Sequence, residues 1–303
     1  MSTSEPISVP DLPPPLMVKV DEPRLGDPTE PVEHLIDERW LVAFATAVHD
    51  DSPALVDLER PGGIIAHPMF PACVEWPLFS QGAPNIHGLE PRAHAGLHVS
   101  HDVRLYRPIR PGDHLVTTAH LETALQRSVG IYAGMGFTTK DADGELVAET
   151  REGILYIGVQ LIDGISEGMT KHYQPLEPPP LHTIGSFEIP PSEAILYSEC
   201  SGIYNPIHTD PRAARDAGLE APVLHGTATL ARVVSTIVGA HADGDPSRVS
   251  GIRARFVGTV TMGATVTVTA APVEGEDQIQ FEAHNDKGER VLSEGFVTLT
   301  GGS

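Results

Sequence analysis

The chain is poor in the residues that would tie it to most cofactors and partners. Its 303 residues include two cysteines, Cys73 and Cys200, too few for a disulfide framework and without metal-ligand spacing. A reducing compartment, the cytoplasm, is the expectation. No run approaches the ~20 apolar residues that span a bilayer, so no membrane partner is expected. Basic residues number 20 against 41 acidic ones, a formal net charge of −21. Phosphate backbones need clustered Lys and Arg, which argues against nucleic acid and anionic membranes as partners. A small phosphate-bearing ligand needs only a few local cations and stays open. There is no glycine-rich dinucleotide loop and no Cys/His ligand cluster, so no redox cofactor and no metal is implied. The start, "MSTSEPISVPDLPPPL", lacks the basic and apolar regions of a secretory signal, and "TLTGGS" at the end is no Ser-Lys-Leu-type address.

What the chain does have is an internal echo. "VRLYRPIRPGDHLVTTAHL" (Val103 to Leu121) parallels "ARFVGTVTMGATVTVTAAP" (Ala254 to Pro272), with Arg104 against Arg255 and Gly112 against Gly263. Both alternate apolar and polar residues about a glycine turn and read as antiparallel hairpins. "DGELVAETREGILYIG" and "KGERVLSEGFVTLTG" form a second echo, a glycine turn before a long alternating strand. Upstream lie paired helical runs: "RWLVAFATAVHDD" and "PSEAILYSECSG", then "FPACVEWPLF" and "TATLARVVSTIVGA". Each half therefore reads helix, loop, helix, then long antiparallel strands. That is an α+β layer with one apolar helix in the concave face of a curved sheet, duplicated and packed as a pseudo-dimer. The proline-rich "YQPLEPPPLHTIG" (Tyr173 to Gly185) reads as a partly extended linker. The expected division is an N-terminal extension over 1–29, a first domain over 30–163, a linker over 164–185 and a second domain over 186–303.

The chemistry concentrates in "YSECSGIYNPIHTDPRAARDAG". Asn205-Pro206 signals a turn, and Asp210-Pro211 has the form of a helix N-cap with Pro at the first helical position. His208 stands two residues before that cap, where a side chain can face a cleft. Downstream, "APVLHGTATLARVV" puts Gly226 at a helix start, whose free N–H groups suit a developing oxyanion. Histidine works as base or acid near neutral pH, and the Asn205 amide is a candidate holder of water. These parts suit addition or loss of water next to an activated carbonyl.

"SGIYNPIHTDP", with "VLHG" before a helix, resembles the MaoC-like, R-specific 2-enoyl-CoA hydratase (type 2) family, whose motif runs Ser-Gly-Asp-x-Asn-Pro-Leu-His. The resemblance spans nearly the whole chain and implies two tandem hotdog domains, a degenerate N-terminal one and a MaoC-like C-terminal one. It implies His208 as the catalytic histidine, Asn205 as the motif asparagine and Gly226 as a donor to the thioester oxygen. The implied substrate is an acyl-CoA or acyl-carrier-protein thioester. The match breaks at Ile203, which stands where the family carries its aspartate. Relatives that look like mesaconyl-type CoA hydratases also lack that acid.

Other residues carry two readings each. Tyr204 is a candidate proton donor or a packing residue, and Asp210 an acid or an N-cap. In the first half Asp50 occupies the aspartate position, with Ser52 at the asparagine and Leu55 at the histidine; a composite site joining Asp50 to His208 is one option. His225 and His67, at matching places, read as turn-shaping. Met69, Phe70 and Trp76 line an acyl tunnel or fill a core. Arg104, Arg107, Arg253 and Arg255 contact coenzyme A phosphates or are solvated strand residues. The expected function is a hydratase or dehydratase acting on 2-enoyl and 3-hydroxyacyl thioesters. The alternative is a non-catalytic acyl-CoA-binding protein or partner subunit of an active relative, and thioester hydrolysis on the same fold is a third reading. A homodimer, or an assembly with a related hotdog chain, is the expected oligomer.

Overall fold

The computed structural model describes residues 15–89, 96–162 and 179–301. The first half contains β1 (Leu16–Val20), β2 (Val32–Leu35), α1 (Glu38–Ala47), α2 (Pro53–Val56), α3 (Pro71–Phe79), β3 (Ile86–His87), β4 (Leu97–Leu105), β5 (His114–Arg127), β6 (Gly130–Lys140), β7 (Leu146–Ile157) and β8 (Val159–Leu161). The second contains β9 (His182–Glu188), α4 (Glu193–Ser201), α5 (Pro211–Asp216), α6 (Gly226–His241), β10 (Val249–Phe256), β11 (Thr265–Pro272), β12 (Gln278–His284) and β13 (Arg290–Leu299).

Ten of the strands form one sheet in the order β2-β5-β6-β7-β4-β10-β13-β12-β11-β9. Read outward from its centre, this order is the same in both halves: β4 matches β10, β7 matches β13, β6 matches β12, β5 matches β11 and β2 matches β9. The halves meet where β4 and β10 pair antiparallel, with Asp102 opposite Arg253. The sequence echo is thus an approximate two-fold axis between two hotdog units.

The hairpin reading of that echo is wrong. β4 and β5 are not neighbours, and neither are β10 and β11. Each Gly-turn segment carries the chain from the sheet centre toward its edge, and the true hairpins are β5-β6, β6-β7, β11-β12 and β12-β13. Alternation with a turn fixes two strands and a reversal, but not that the two strands bond to each other. Within 1–29, β1 pairs with β3 and β8 in a small separate sheet, so part of the expected extension is built into the first unit. β9 begins inside the stretch read as linker; 163–178 lie outside the described residues.

The helices supply the core. α6 is buried on nearly every side, including Leu230, Val233, Val234 and Ile237, as befits an apolar helix in a concave sheet. α3 plays the same part in the first half, with Phe70, Val74 and Leu78 buried. The units are pinned together by Phe44 of α1 against Tyr197 of α4, with ring centroids 5.8 Å apart. Burying side chains such as these contributes about 1.5–3 kcal/mol each.

Candidate active site

A cavity of about 180 Å³ opens between the halves. One wall is second-half loop: Ile203, Asn205, His208, His225 and Gly226. The opposite wall comes from the first half: Glu75, Trp76 and Phe79 on α3, Leu97 and His98 at the start of β4, and Glu152 on β7.

The loop is shaped residue by residue. α4 ends at Gly202 in the left-handed conformation (φ 76°), a geometry that costs glycine nothing and reverses the chain. Ile203 then turns inward, 6% exposed, and its N–H donates to Ser201 Oγ at 3.1 Å. Asn205 caps a 3₁₀ turn over Pro206–His208, its side chain accepting from the Ile207 N–H at 3.3 Å. Asp210 caps α5 and accepts from Arg212, whose guanidinium holds the carboxyl down to about 2.

His208 is fixed by one hydrogen bond. Its Nδ1 lies 2.8 Å from the Val223 carbonyl, which can only accept, so Nδ1 carries the proton and Nε2 keeps its lone pair. That carbonyl is itself anchored, because Val223 bridges to Thr261 and the Leu224 N–H donates to Val260 O at 2.7 Å. Burial pushes the His208 imidazole down to about 4 despite the carbonyl contact, so it is neutral at pH 7. The ring stacks on His225 with centroids 3.7 Å apart. His225 Nε2 sits 3.2 Å from both Ser198 Oγ and Ile203 O, tying the loop to α4. Gly226 opens α6, where the first N–H groups have no carbonyl partner within the helix and carry the positive end of its dipole. A Cβ there would lie 2.8 Å from the Phe256 ring, so only glycine lets Phe256 pack against the helix start.

The structure brings His208, Asn205, Gly226 and Ile203 together and leaves other candidates elsewhere. Tyr204 points outward, 58% exposed, with its hydroxyl 3.4 Å from Glu199. Asp50 belongs to the opposite pseudo-site: it accepts from the Ser52 N–H at 3.0 Å and lies 3.8 Å from His67 Nε2. The composite site with His208 is therefore not formed. Met69 and Phe70 do not line the cavity; they are core, with Phe70 edge-on to Trp40 and Phe44. Trp76 and Phe79, about two to three turns further along the chain in α3, stack on each other at the cavity instead. Arg104 covers Tyr106, and Arg255 pairs with Glu294 at 3.0 Å; neither arginine lines the cavity.

The first-half polar wall is what sequence reasoning missed. Glu75, Glu152 and His101 are 1–5% exposed, and His98 packs between Phe79 and Phe256. Burial and the neighbouring Glu152 raise Glu75 to about 8. Two signals were available: Glu75 is the lone charge in the apolar run "FPACVEWPLF", and Glu152 falls on the inward phase of β7, between Thr150 and Ile154.

Comparison with known proteins follows the same division into halves. The MaoC like domain matches residues 170–293, and the FAS1-like dehydratase domain region matches 24–150. The peroxisomal enoyl-CoA hydratase 2 of Arabidopsis thaliana is 30% identical over 222 residues, 68% of each chain. Enoyl-CoA hydratase ChsH3 of Mycobacterium tuberculosis is 27% identical over 219 residues, 72% of each. The crystal structure of a MaoC-like dehydratase from Phytophthora capsici shares the fold, with a TM-score of 0.80 over 93% of this chain and 99% of that one, at 23% identity. Among the described residues no helix is long and apolar enough to cross a membrane. With a matching model over each half and a hydratase relative across two thirds of its length, the chain belongs to the MaoC-like hydratase/dehydratase family, carbon–oxygen lyases built here as a double hotdog.

Proposed function

We propose that the protein interconverts a 2-enoyl thioester and a 3-hydroxyacyl thioester, with acyl-CoA as the foremost substrate and His208 as the single acid/base. The observation that carries this is the 2.8 Å bond from His208 Nδ1 to Val223 O, which leaves the Nε2 lone pair free on a cavity-lining ring. In the hydration direction the Asn205 amide holds a water and Nε2 takes its proton as the oxygen attacks C3. The electron pair moves to the thioester oxygen, where the Gly226 N–H and the α6 dipole stabilise the enolate. The imidazolium then returns its proton to C2. A histidine held near 4 is a weak base but a strong acid once protonated, which suits that second step and lets one ring serve where relatives use two groups. Trp76 and Phe79 offer the acyl chain an apolar wall. The free cysteines suit a reducing compartment such as the cytoplasm.

A second reading, a silent subunit that binds acyl thioesters, is favoured by the apolar Ile203 and by the commitment of Asp210 to Arg212 and of Asp50 to the first-half site. One experiment separates the two. Hydration of crotonyl-CoA and mesaconyl-CoA is followed at the enoyl absorbance for the wild type and His208→Ala. Turnover that falls by roughly 10²–10⁴ in the variant is expected. Full activity in His208→Ala would refute the mechanism, and tight acyl-CoA binding without turnover in the wild type would establish the second reading.

A further inference from the structure

We propose that His98, His101 and Glu152, with Glu75 beside them, bind a divalent transition-metal cation in the first-half wall of the cavity. This goes beyond the hydratase reading and does not depend on it.

The backbone is arranged for such a donor set. Along β4 the pairing with β7 steps from His98 opposite Ile154 to Ser100 opposite Gly153, two residues against one. This bulge cancels one alternation, so His98 and His101, three apart and on opposite faces of a regular strand, turn to the same side. Glu152 is the cross-strand partner of His101. His101 Nδ1 comes within 3.3 Å of Glu152 Oε1 and His98 Nε2 within 3.8 Å, and one donor atom from each of the three residues falls within 4.8 Å of the others. Donors that share a cation at about 2.0–2.2 Å stand roughly 3–4 Å apart.

The second observation concerns unmade hydrogen bonds. His98 Nε2, His101 Nδ1, Glu152 Oε2 and Glu75 Oε2 are all buried, and none makes a hydrogen bond of good geometry among the described residues. Buried polar atoms are nearly always partnered, and three of these atoms belong to residues of one donor cluster in which both imidazoles meet the same Glu152 carboxylate only at ion-pair distance, an arrangement that points to a shared partner. A cation satisfies two imidazole lone pairs and a carboxylate at one point, whereas a water donates only two hydrogen bonds and a hydroxyl one. Thr150 donates to Glu75 Oε1 at 2.5 Å, orienting this second carboxylate beside the cluster. Two imidazoles with carboxylates favour Zn²⁺ or Fe²⁺ over Mg²⁺ or Ca²⁺, which prefer all-oxygen sites.

The test uses the full chain, stripped with a chelator and dialysed, then titrated with Zn²⁺ by calorimetry and with Co²⁺ by visible absorption. One equivalent of each is expected, with cobalt d–d bands and a raised melting temperature. His101→Gln and Glu152→Gln should weaken binding by at least tenfold, whereas His208→Ala should keep the full equivalent. The melting temperature of each metal-free variant reports whether it folds. If the variants do not fold, the wild-type cobalt spectrum decides: d–d bands of a nitrogen- and oxygen-ligated ion support the site, and the spectrum of free aqueous cobalt overturns it. Weak uptake at several sites, unchanged in folded His101→Gln, marks adventitious binding and also overturns it.

Discussion

Ile203→Asp tests what the missing acid is worth. Ile203 is 6% exposed, its N–H is held by Ser201 and its carbonyl accepts from His225, so its backbone is fixed and its side chain lines the cavity beside His208. An aspartate placed on that backbone presents its carboxylate to the same space. The cost is the burial of the isoleucine, roughly 2–3 kcal/mol, plus some desolvation of the new charge. At roughly 2–4 °C per kcal/mol for a chain of this size, the melting temperature should fall by roughly 4–12 °C. The gain is a second acid/base group, worth roughly 10²–10⁴ in rate. A carboxylate close to His208 also favours the imidazolium, so the acid limb of kcat/KM, expected near 4 in the wild type from the buried imidazole, should move up. Hydration of crotonyl-CoA between pH 4 and 8, with a thermal melt of the same preparations, reads all three effects. A folded variant with unchanged rate and unmoved acid limb would refute the claim that Ile203 occupies the position of an acid.

Gly226→Ala puts a Cβ 2.8 Å from the Phe256 ring, so either that ring or the helix start must move. The alanine keeps its N–H, but a shifted helix start carries that donor out of place; since loss of one oxyanion donor costs about 10²–10³ in kcat, a decrease of at least tenfold with a lowered melting temperature is expected, and unchanged kcat would remove Gly226 from the mechanism. His208 and His67 are both held down to about 4 by burial, against an ordinary value of 6.5. The unfolded chain therefore binds more protons, so their contribution to stability is complete above pH 6.5 and is lost as pH falls from there through about 4. Each is worth about 3 kcal/mol over that range, and urea unfolding at pH 7 and pH 4.5 should show most of it; His208→Gln should remove its share, and equal stability at both pH values would refute the burial argument.

The parts legible in the sequence were the locally encoded ones. The helices α4 and α6, the strands β7 and β13 and the turns at Asn205 and Asp210 follow from capping residues, alternation and apolar periodicity within a dozen residues. The duplication was legible because the two halves repeat these signals in the same order. Strand pairing was not, since the partner of β4 is chosen by what else the sheet must accommodate: β6 and β7 enter between β5 and β4, and the free side of β4 is completed by β10 from the other half. The same long-range choice built the unread wall of the cavity. Trp76 and Phe79 at the C-terminal end of α3, rather than Met69 and Phe70 at its start, line the cavity opposite the His208 loop, a placement that only the packing of the two halves decides. His98 and His101 face inward together only because of a bulge that no residue pattern in "LHVSHDVRL" announces. The isoleucine in the loop therefore marks a site whose polar chemistry is divided. The second half lines the cavity with His208, His225 and a helix start, and the first half brings His98 and the buried carboxylates Glu75 and Glu152 to the opposite wall.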